Sequence, residues 1–218
     1  MDGRDKKFDL LLKTLLAWNK KFNLTAITRP EDIWLKHFDD SLALLNFYQL
    51  TNQKVIDIGS GAGFPGLPLK IACPDIKLTL VEATAKKVEF LNHVAALLAF
   101  NDVRVIHGRA EDLGHELRES FDLAVSRAVA ELKILSELCL PFVKVGGQFV
   151  AYKEAKVEDE VMAAQTAIET MGGKFREIRK YNLGKNGLVR SFVVIDKIAP
   201  TPEKYPRRPG MPKKKPLQ

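Results

Sequence analysis

One stretch of the chain, VIDIGSGAGFPG at residues 55–66, limits the possible folds more than any other feature of the sequence. An apolar, β-branched run leads into four glycines within eight residues. This order is typical of a buried strand that ends in a turn whose backbone a ligand approaches closely. The stretch therefore predicts a strand, a ligand-binding loop and a following helix.

Alternation of strand and helix patterns after Thr51 extends this unit into an α/β domain. Helix patterns separate five short β-rich runs, at residues 54–58, 77–82, 103–108, 121–126 and 147–152. A further helix is predicted at 157–170. A closing antiparallel hairpin follows, with strands at 174–183 and 187–197 and the turn GKNG. The pattern predicts a mostly parallel sheet with helices on both faces and a C-terminal antiparallel hairpin.

The chain divides into three predicted parts. Residues 1–50 form an N-terminal helical extension, because apolar residues recur there at three- and four-residue steps. The segment NLTAITRPED interrupts this pattern, where Thr28 can cap a helix and Pro30 can begin the next one. Residues 51–197 form the α/β domain. Residues 198–218 form a basic, proline-rich tail that is expected to be extended or disordered when free.

Net charge, cysteine content and the absence of long apolar runs indicate the possible partners, metal sites and location of the protein. The chain carries 34 Lys and Arg against 27 Asp and Glu, a formal net charge of +7, which favours an anionic partner such as RNA. Cys73 and Cys139 lie in apolar surroundings without a Cys-x-x-Cys pair, so we expect core thiols and no metal site. The sequence shows neither a signal peptide nor an apolar run that would span a membrane, which favours a cytoplasmic location.

The glycine-rich loop matches G-x-G-x-x-G over residues 61–66, a pattern that by itself suits a dinucleotide. Three details argue against a phosphate ligand. Pro65 removes one N–H group from the first helical turn, where phosphates bind. Asp57 is expected to place a carboxylate at the mouth of the loop, and no Gly-Lys-Ser/Thr follows. S-adenosylmethionine fits better, because it carries a sulfonium, an ammonium and a carboxylate but no phosphate.

Each part of this cofactor has candidate contacts at the strand ends. The backbone would approach the methionine part at three glycines, Gly59, Gly61 and Gly63. Asp57 could lie near the ammonium group. Glu82 ends the next strand and could accept hydrogen bonds from the ribose hydroxyls. Glu111 follows the third strand, at the edge where the adenine could lie.

The methyl acceptor is constrained by groups that the sequence lacks. Attack at a pyrimidine carbon needs a cysteine nucleophile, and neither cysteine follows a sheet strand. Methylation of an exocyclic amine usually uses a polar-Pro-Pro-aromatic stretch after the fourth strand, where this chain reads SRAVAE (126–131). Guanine N7 has an in-plane lone pair and no proton, so its methylation needs orientation rather than a base.

Two cations at the strand ends are candidates for ligand contacts. Arg127 follows the fourth strand, at the edge where α/β folds bind ligands, and could contact an RNA phosphate or the cofactor carboxylate. It cannot hold N7 of the target guanine, because that contact would block the reaction. An ion pair with a purely structural role stays open for it. Lys153, after the fifth strand, is a weaker candidate for the same face.

Six motifs together closely resemble one known family. They are WNKKFNLTAIT (18–28), KHFDDSL (36–42), VIDIGSGAGFPGLPLKI (55–71), LVEATAKKVEFL (80–91), GRAEDL (108–113) and SRAVAEL (126–132). In this combination the chain resembles the RsmG (GidB) family of bacterial 16S rRNA methyltransferases. The resemblance implies a class I methyltransferase fold with an N-terminal helical extension. It also implies transfer from S-adenosylmethionine to N7 of guanine 527, in the 530 loop of 16S rRNA, which leaves S-adenosylhomocysteine.

Site residues are also implied by the resemblance, carried over by position. The cofactor contacts would be Gly59, Phe64, Ala110, Glu111 and Arg127. The target pocket would be bordered by Asn23, His37, Asp40 and Ser41. A helix-capping or interhelix hydrogen-bond role stays open for His37 and Asp40. No general base is expected.

The basic tail and two strand-end cations add expected contacts with the substrate. The candidates are Lys153, Arg190, Arg207, Arg208, Lys213, Lys214 and Lys215. Phosphate contacts of this kind give affinity without reading the sequence of the RNA. The expected partner is 16S rRNA, the small ribosomal subunit or an assembly intermediate, bound by a monomer.

Three other functions remain open at this point. An NAD-linked oxidoreductase could use the same loop, but 218 residues leave no room for the usual second catalytic domain. An RNA-binding protein without catalysis would have no need of the acids and glycines around the loop. A methyltransferase acting on another RNA or on a small molecule would also fit the loop.

Overall fold

A computed structural model describes residues 3–127, 130–184 and 187–218. Seven strands form its central sheet: β1 (Lys54–Ile58), β2 (Lys77–Glu82), β3 (Val103–His107), β4 (Phe121–Arg127), β5 (Val143–Glu154), β6 (Gly173–Leu183) and β7 (Leu188–Lys197). Their order in the sheet is β3-β2-β1-β4-β5-β7-β6. The first five strands run parallel, and β7 is antiparallel to both β5 and β6. The predicted fold class is confirmed.

Most strand boundaries follow the predicted ones, and β5 differs most. It begins at Val143 rather than at residue 147, so it includes Gly146 and Gly147 ahead of the apolar run. The parallel register brings the carboxyl ends of β1, β2 and β4 to one edge of the sheet. The middle of the predicted hairpin turn, Lys185 and Asn186, lies outside the described residues.

Helices fill the connections between the strands. They are α1 (Gly3–Phe22), α2 (Pro30–Ile33), α3 (Asp40–Leu42), α4 (Gly66–Ala72), α5 (Ala85–Leu97), α6 (Ala110–Glu116), α7 (Leu132–Cys139), α8 (Glu158–Thr170) and α9 (Met211–Lys214). A π-helical turn at Trp34–Asp39 joins α2 to α3. Pro30 begins α2 as predicted, because its fixed φ suits the first helical position. The capping role predicted for Thr28 is wrong, since the N-cap residue is Arg29 and no side chain caps this helix.

Each face of the sheet carries its own apolar core, because successive strand residues point to opposite faces. Val55 belongs to the core under α1, α4 and α5, and the next residue, Ile56, belongs to the core under α6, α7 and α8. The N-terminal extension shares the first of these cores, where Leu11 and Leu15 are fully buried. The extension therefore packs as part of the domain. The three-part division of the chain stays a prediction.

Residues 198–218, called the C-terminal arm below, pack against the domain instead of remaining extended or disordered. Thr201, Tyr205, Pro206 and Pro212 are buried. The expectation failed because it rested on the composition of the arm alone, and the groups that hold the arm come from much earlier in the chain.

Two kinds of feature are absent from the described residues. No helix among them combines the length and the apolar character needed to cross a membrane. No group of three or more His, Cys, Asp or Glu side chains within the same ranges is placed to hold a metal ion.

Candidate active site

A cavity of about 1070 Å³ lies at the carboxyl ends of β1, β2 and β4. The glycine-rich loop, the first turn of α6 and the π-helical turn of the extension all line it. Ligand pockets usually measure about 300–1,000 Å³. The cavity is therefore large enough for a nucleoside-sized cofactor with a second ligand beside it.

The glycine-rich loop turns its N–H groups inward. Gly61 donates to Glu82 Oε2 at 2.9 Å, and Gly63 and Phe64 donate to the carbonyl oxygen of Ser60 at 2.8 and 3.0 Å. A phosphate cradle needs such N–H groups pointing at the ligand. Because internal acceptors already use them, this loop suits a ligand without phosphate groups, as predicted from Pro65.

Asp57 lies beneath this loop rather than at its mouth. Its side chain is fully buried, and Oδ2 accepts a hydrogen bond from the N–H of Gly66 at 2.9 Å. Burial raises the pKa of Asp57 to about 7, and the Gly66 hydrogen bond opposes that rise. The residue does not line the cavity, so the structure gives it a role in supporting the loop instead of the expected place beside the ammonium group.

The two glutamates predicted for the ribose and adenine both line the cavity. Glu82 accepts hydrogen bonds from the N–H groups of Gly61 and Thr84, at 2.9 and 2.8 Å, one on each oxygen. Glu111 is 8% exposed and accepts from the N–H of Gly210 at 2.9 Å. Each carboxylate oxygen has a further lone pair, so both side chains can still accept hydrogen bonds from a ligand.

Arg127 joins the sheet to the N-terminal extension. Its NH1 group donates to Asp40 Oδ2 at 2.9 Å and to the carbonyl oxygen of Lys36 at 3.1 Å, and NH2 donates to His37 Nδ1 at 3.0 Å. The guanidinium also lies over the ring of Phe64, at 5.3 Å from its centroid. These contacts use three of its five N–H donors, so Arg127 can still bind a ligand in the cavity.

His37 is held as a neutral imidazole. Arginine can only donate, so Nδ1 of His37 is an acceptor and Nε2 carries the proton, which it donates to Thr25 Oγ1 at 2.9 Å. Burial, and then the nearby charge of Arg127, lower the pKa of His37 to about 4. Its ring stacks on Phe64 with centroids 4.4 Å apart. Because both nitrogens are engaged, His37 is not placed to act as a base.

This geometry predicts a pH effect on stability. The pKa of His37 is about 4 in the folded protein and about 6.5 in an unfolded chain. Between these values the unfolded state binds more protons, so the contribution of His37 to stability is complete above pH 6.5 and falls as the pH drops toward 4. Urea midpoints should therefore decline less over this range in His37→Asn than in the wild-type protein. Parallel profiles would contradict the assignment.

Asp40 is tied into the same network and lines the cavity, whereas Ser41 and Asn23 do not line it. Asp40 Oδ1 accepts from the hydroxyl of Tyr181 at 2.8 Å. Ser41 is fully buried, and its hydroxyl donates to the carbonyl oxygen of His37 within the helical segment. Asn23 directly follows α1, has a φ of +50°, which asparagine tolerates well, and does not line the cavity. The structure thus gives Ser41 and Asn23 places in the backbone framework rather than the expected places at the pocket border.

Lys153 and Arg190 line the cavity, and each pairs with an acid. Lys153 Nζ contacts Glu160 Oε1 at 2.5 Å and the carbonyl oxygen of Ala130 at 2.8 Å. Arg190 pairs with Glu154, whose side chain is largely exposed. Their predicted contacts with the substrate stay predictions.

The five arm residues that were predicted to contact phosphate fall into two groups. Arg207 donates from Nε and NH2 to the buried carboxylate of Glu137, at 2.8 and 2.6 Å, which favours a structural role over the expected phosphate contact. The other four are exposed to solvent and remain candidate phosphate contacts: Arg208, Lys213, Lys214 and Lys215.

Among the polar residues of the site that the sequence did not predict are Thr25 and Tyr181. Thr25 holds the proton-bearing nitrogen of His37, and Tyr181 holds Asp40 from a strand 141 positions away. Thr25 belongs to the NLT motif, so the resemblance could have identified it. Nothing in the sequence around Tyr181 marks it as part of the site.

Known proteins match this chain over most of its length. The sequence matches the GidB family, described as rRNA small subunit methyltransferase G, over residues 4–189. A protein of Brevibacillus brevis with the name ribosomal RNA small subunit methyltransferase G is 47% identical over 99% of this chain and 92% of its own length. A protein of the same name from Alkaliphilus metalliredigens is 49% identical over 94% of this chain and 87% of its own.

Solved structures share the fold at low sequence identity. TYW2 of M. jannaschii, in complex with AdoMet, has a TM-score of 0.60 and 18% identity, covering 74% of this chain and 76% of its own. A SAM-dependent methyltransferase from Aquifex aeolicus has a TM-score of 0.57 and 18% identity, covering 78% and 94%. Together with the near full-length sequence matches, these findings confirm the resemblance of the motifs, and the chain belongs to the GidB family of ribosomal RNA small subunit methyltransferases.

Proposed function

We propose that this protein transfers a methyl group from S-adenosylmethionine to N7 of guanine 527, in the 530 loop of 16S rRNA. Membership of the GidB family gives the reaction class, methyl transfer from S-adenosylmethionine to small-subunit rRNA. The position and the atom are what the resemblance of the motifs to this family implies, and a site without a free general base is compatible with N7 as the acceptor. We also propose that the protein is a cytoplasmic monomer that acts on the rRNA, the small subunit or an assembly intermediate.

The glycine-rich loop is the observation that carries the cofactor. Its N–H groups are used internally and the carboxylate of Glu82 lies beside it, an arrangement that disfavours the pyrophosphate of NAD. Gly59 and Gly61 leave the backbone open toward the cavity, and Glu82 and Glu111 offer acceptors for hydroxyl and amino groups. These residues fit S-adenosylmethionine, which would supply an electrophilic methyl group.

The rest of the site supports an acceptor that needs no deprotonation. His37 is neutral with both nitrogens engaged, and Asp57 is buried away from the cavity. A base carrying its own lone pair, such as guanine N7, can react if it is only oriented and kept from water. The stacked pair of His37 and Phe64, fixed by Arg127, provides a rigid wall for that purpose.

A single-atom change in the substrate tests the target atom. Small-subunit RNA with 7-deazaguanine at position 527 keeps the Watson–Crick edge of guanine and loses only the N7 lone pair. We expect no methyl transfer to this RNA and normal transfer to the matched RNA with guanine. Equal transfer to both RNAs would exclude N7 as the acceptor.

The exposed lysines of the arm give a prediction about RNA binding. Replacing Lys213, Lys214 and Lys215 by alanine should lower the slope of log affinity against log salt by about 2–3, since each phosphate contact contributes about 0.7–0.9. The matched control replaces three exposed lysines at the beginnings of strands, at the end of the sheet away from the cavity: Lys54, Lys77 and Lys174. Filter binding to 16S rRNA over a salt series measures both slopes. An unchanged slope in the arm variant would remove these lysines from the interface.

A further inference from the structure

The C-terminal arm is fastened across α6 and α7 by groups that lie outside the cavity. Arg118 donates from NH1 to the carbonyl oxygen of Tyr205 at 2.8 Å, and from NH2 to those of Thr201 and Pro202 at 2.7 and 2.8 Å. Arg207 pairs with Glu137, which is 1% exposed. The three carbonyl contacts of Arg118 and the ion pair between Arg207 and the buried Glu137 hold the arm in one position on the domain.

The arm also packs directly on α6. The ring nitrogen Nε2 of His115 lies 2.9 Å from the carbonyl oxygen of Pro206. A Cβ atom at Gly114 would come within 2.7 Å of the Pro206 ring, so the helix and the arm are in close contact. Beyond these contacts, the N–H of Gly210 donates to Oε1 of Glu111, at the edge of the cavity.

The helix that receives these contacts has little stability of its own. It spans only Ala110–Glu116, and its N-cap residue Arg109 makes no side-chain cap. Helices this short are marginal without tertiary packing. The position of Ala110 and Glu111 in the cavity therefore depends on what packs against the helix, and the arm contacts three of its seven residues, Glu111, Gly114 and His115.

We propose that the arm is a positioning element of the cofactor site, which holds α6 and the Glu111 carboxylate in place. This role is separate from any contact between the arm and RNA, and it rests on the proposed cofactor. If the arm served RNA alone, loosening it would weaken RNA binding and leave the affinity for cofactor unchanged. If it positions Glu111, loosening it weakens cofactor binding even when no RNA is present.

Two full-length variants loosen the arm without touching the cavity. Arg207→Gln with Glu137→Gln removes the ion pair and leaves no buried charge unpaired, and Arg118→Met removes the three carbonyl contacts. The matched control is Arg179→Gln with Glu177→Gln, an ion pair of 2.8 Å on β6 that lies away from both the arm and the cavity. Calorimetry with S-adenosylhomocysteine alone gives the dissociation constant of each protein.

We expect the dissociation constant to rise about 10-fold in each arm variant, the size of the coupling between packed neighbours, and to stay within about 2-fold in the control. In the methylation assay, KM for S-adenosylmethionine should rise while kcat at saturation is retained, a split that a general loss of stability does not produce. Hydrogen exchange should speed up in residues 199–216 and in α6 together.

Dissociation constants within 2-fold of the wild-type value in both folded arm variants would overturn the proposal. That result would leave the proposed function intact, because methylation of RNA by the wild-type protein does not depend on it. If one variant fails to fold, the other decides. A wild-type protein that binds no S-adenosylhomocysteine at all would instead overturn the cofactor assignment on which the proposal rests.

Discussion

Replacing Arg127 by alanine is expected to reduce methyl transfer by at least about 100-fold, the loss that follows when reacting groups are misplaced by about 1 Å. The guanidinium fixes the wall of the cavity through His37, Asp40 and the carbonyl oxygen of Lys36. Its removal frees the extension at the point where the substrate base would be oriented. Single-turnover rates with saturating cofactor and RNA measure this loss at the chemical step.

Stability should fall in the same variant, because Asp40 is 5% exposed and would lose its cation. Truncating one partner of a buried ion pair typically costs about 3–5 kcal/mol. Asp40→Asn in the Arg127→Ala background removes the unpaired charge, so it should recover part of the stability and none of the activity. Activity that returns together with stability, or a single variant within about 3-fold of wild-type activity, would make Arg127 a purely structural residue.

Alanine at Gly63 and alanine at Gly61 should have different effects. A Cβ at Gly63 would lie 2.2 Å from Cδ1 and 2.7 Å from Cγ of Leu67, which is fully buried, at a φ of +89°. Overpacking costs about 1–3 kcal/mol and the left-handed conformation about 1–2 kcal/mol more. At Gly61, with a φ of +59°, the nearest atom is the carbonyl oxygen of Gly59 at 3.9 Å, so only the second cost applies.

We therefore expect urea unfolding to show a loss of about 2–5 kcal/mol for Gly63→Ala and about 1–2 kcal/mol for Gly61→Ala. Gly61→Ala should still lose affinity for S-adenosylhomocysteine, because its methyl group faces the cavity. Leu67→Ala combined with Gly63→Ala should cost less than the two changes added together. Equal losses in the two single variants, or simple additivity in the double variant, would mean that Leu67 does not make Gly63 necessary.

The sequence was sufficient for the parts of the fold that depend on local pattern. The runs at 54–58 and 77–82 match β1 and β2, because alternating strands and helices with apolar strand interiors leave few other arrangements. The loop between β1 and α4 was also readable, since Pro65 and the glycines constrain the backbone directly. Glu82, Glu111 and Arg127 reached the cavity as expected because parallel strands end at one edge of the sheet.

Contacts between distant segments could not be read in the same way. From the sequence, the carboxylate of Asp57 was expected at the mouth of the loop. In the structure the loop covers it, and the N–H of Gly66 donates a hydrogen bond to it. Tyr181 reaches Asp40 only because β6 and the extension meet in space. The arm looks unstructured by composition, and the residues that hold it, Arg118 and Glu137, carry no signal of that role in their own surroundings.

The central claim is that this chain methylates small-subunit rRNA at a guanine N7, and one measurement tests it most directly. The protein is incubated with S-adenosylmethionine carrying a tritiated methyl group and with 16S rRNA or small ribosomal subunits, and the RNA is digested to nucleosides. We expect the label in 7-methylguanosine. Label in a different nucleoside, or no label in any small-subunit RNA although the protein binds S-adenosylhomocysteine, would contradict the claim.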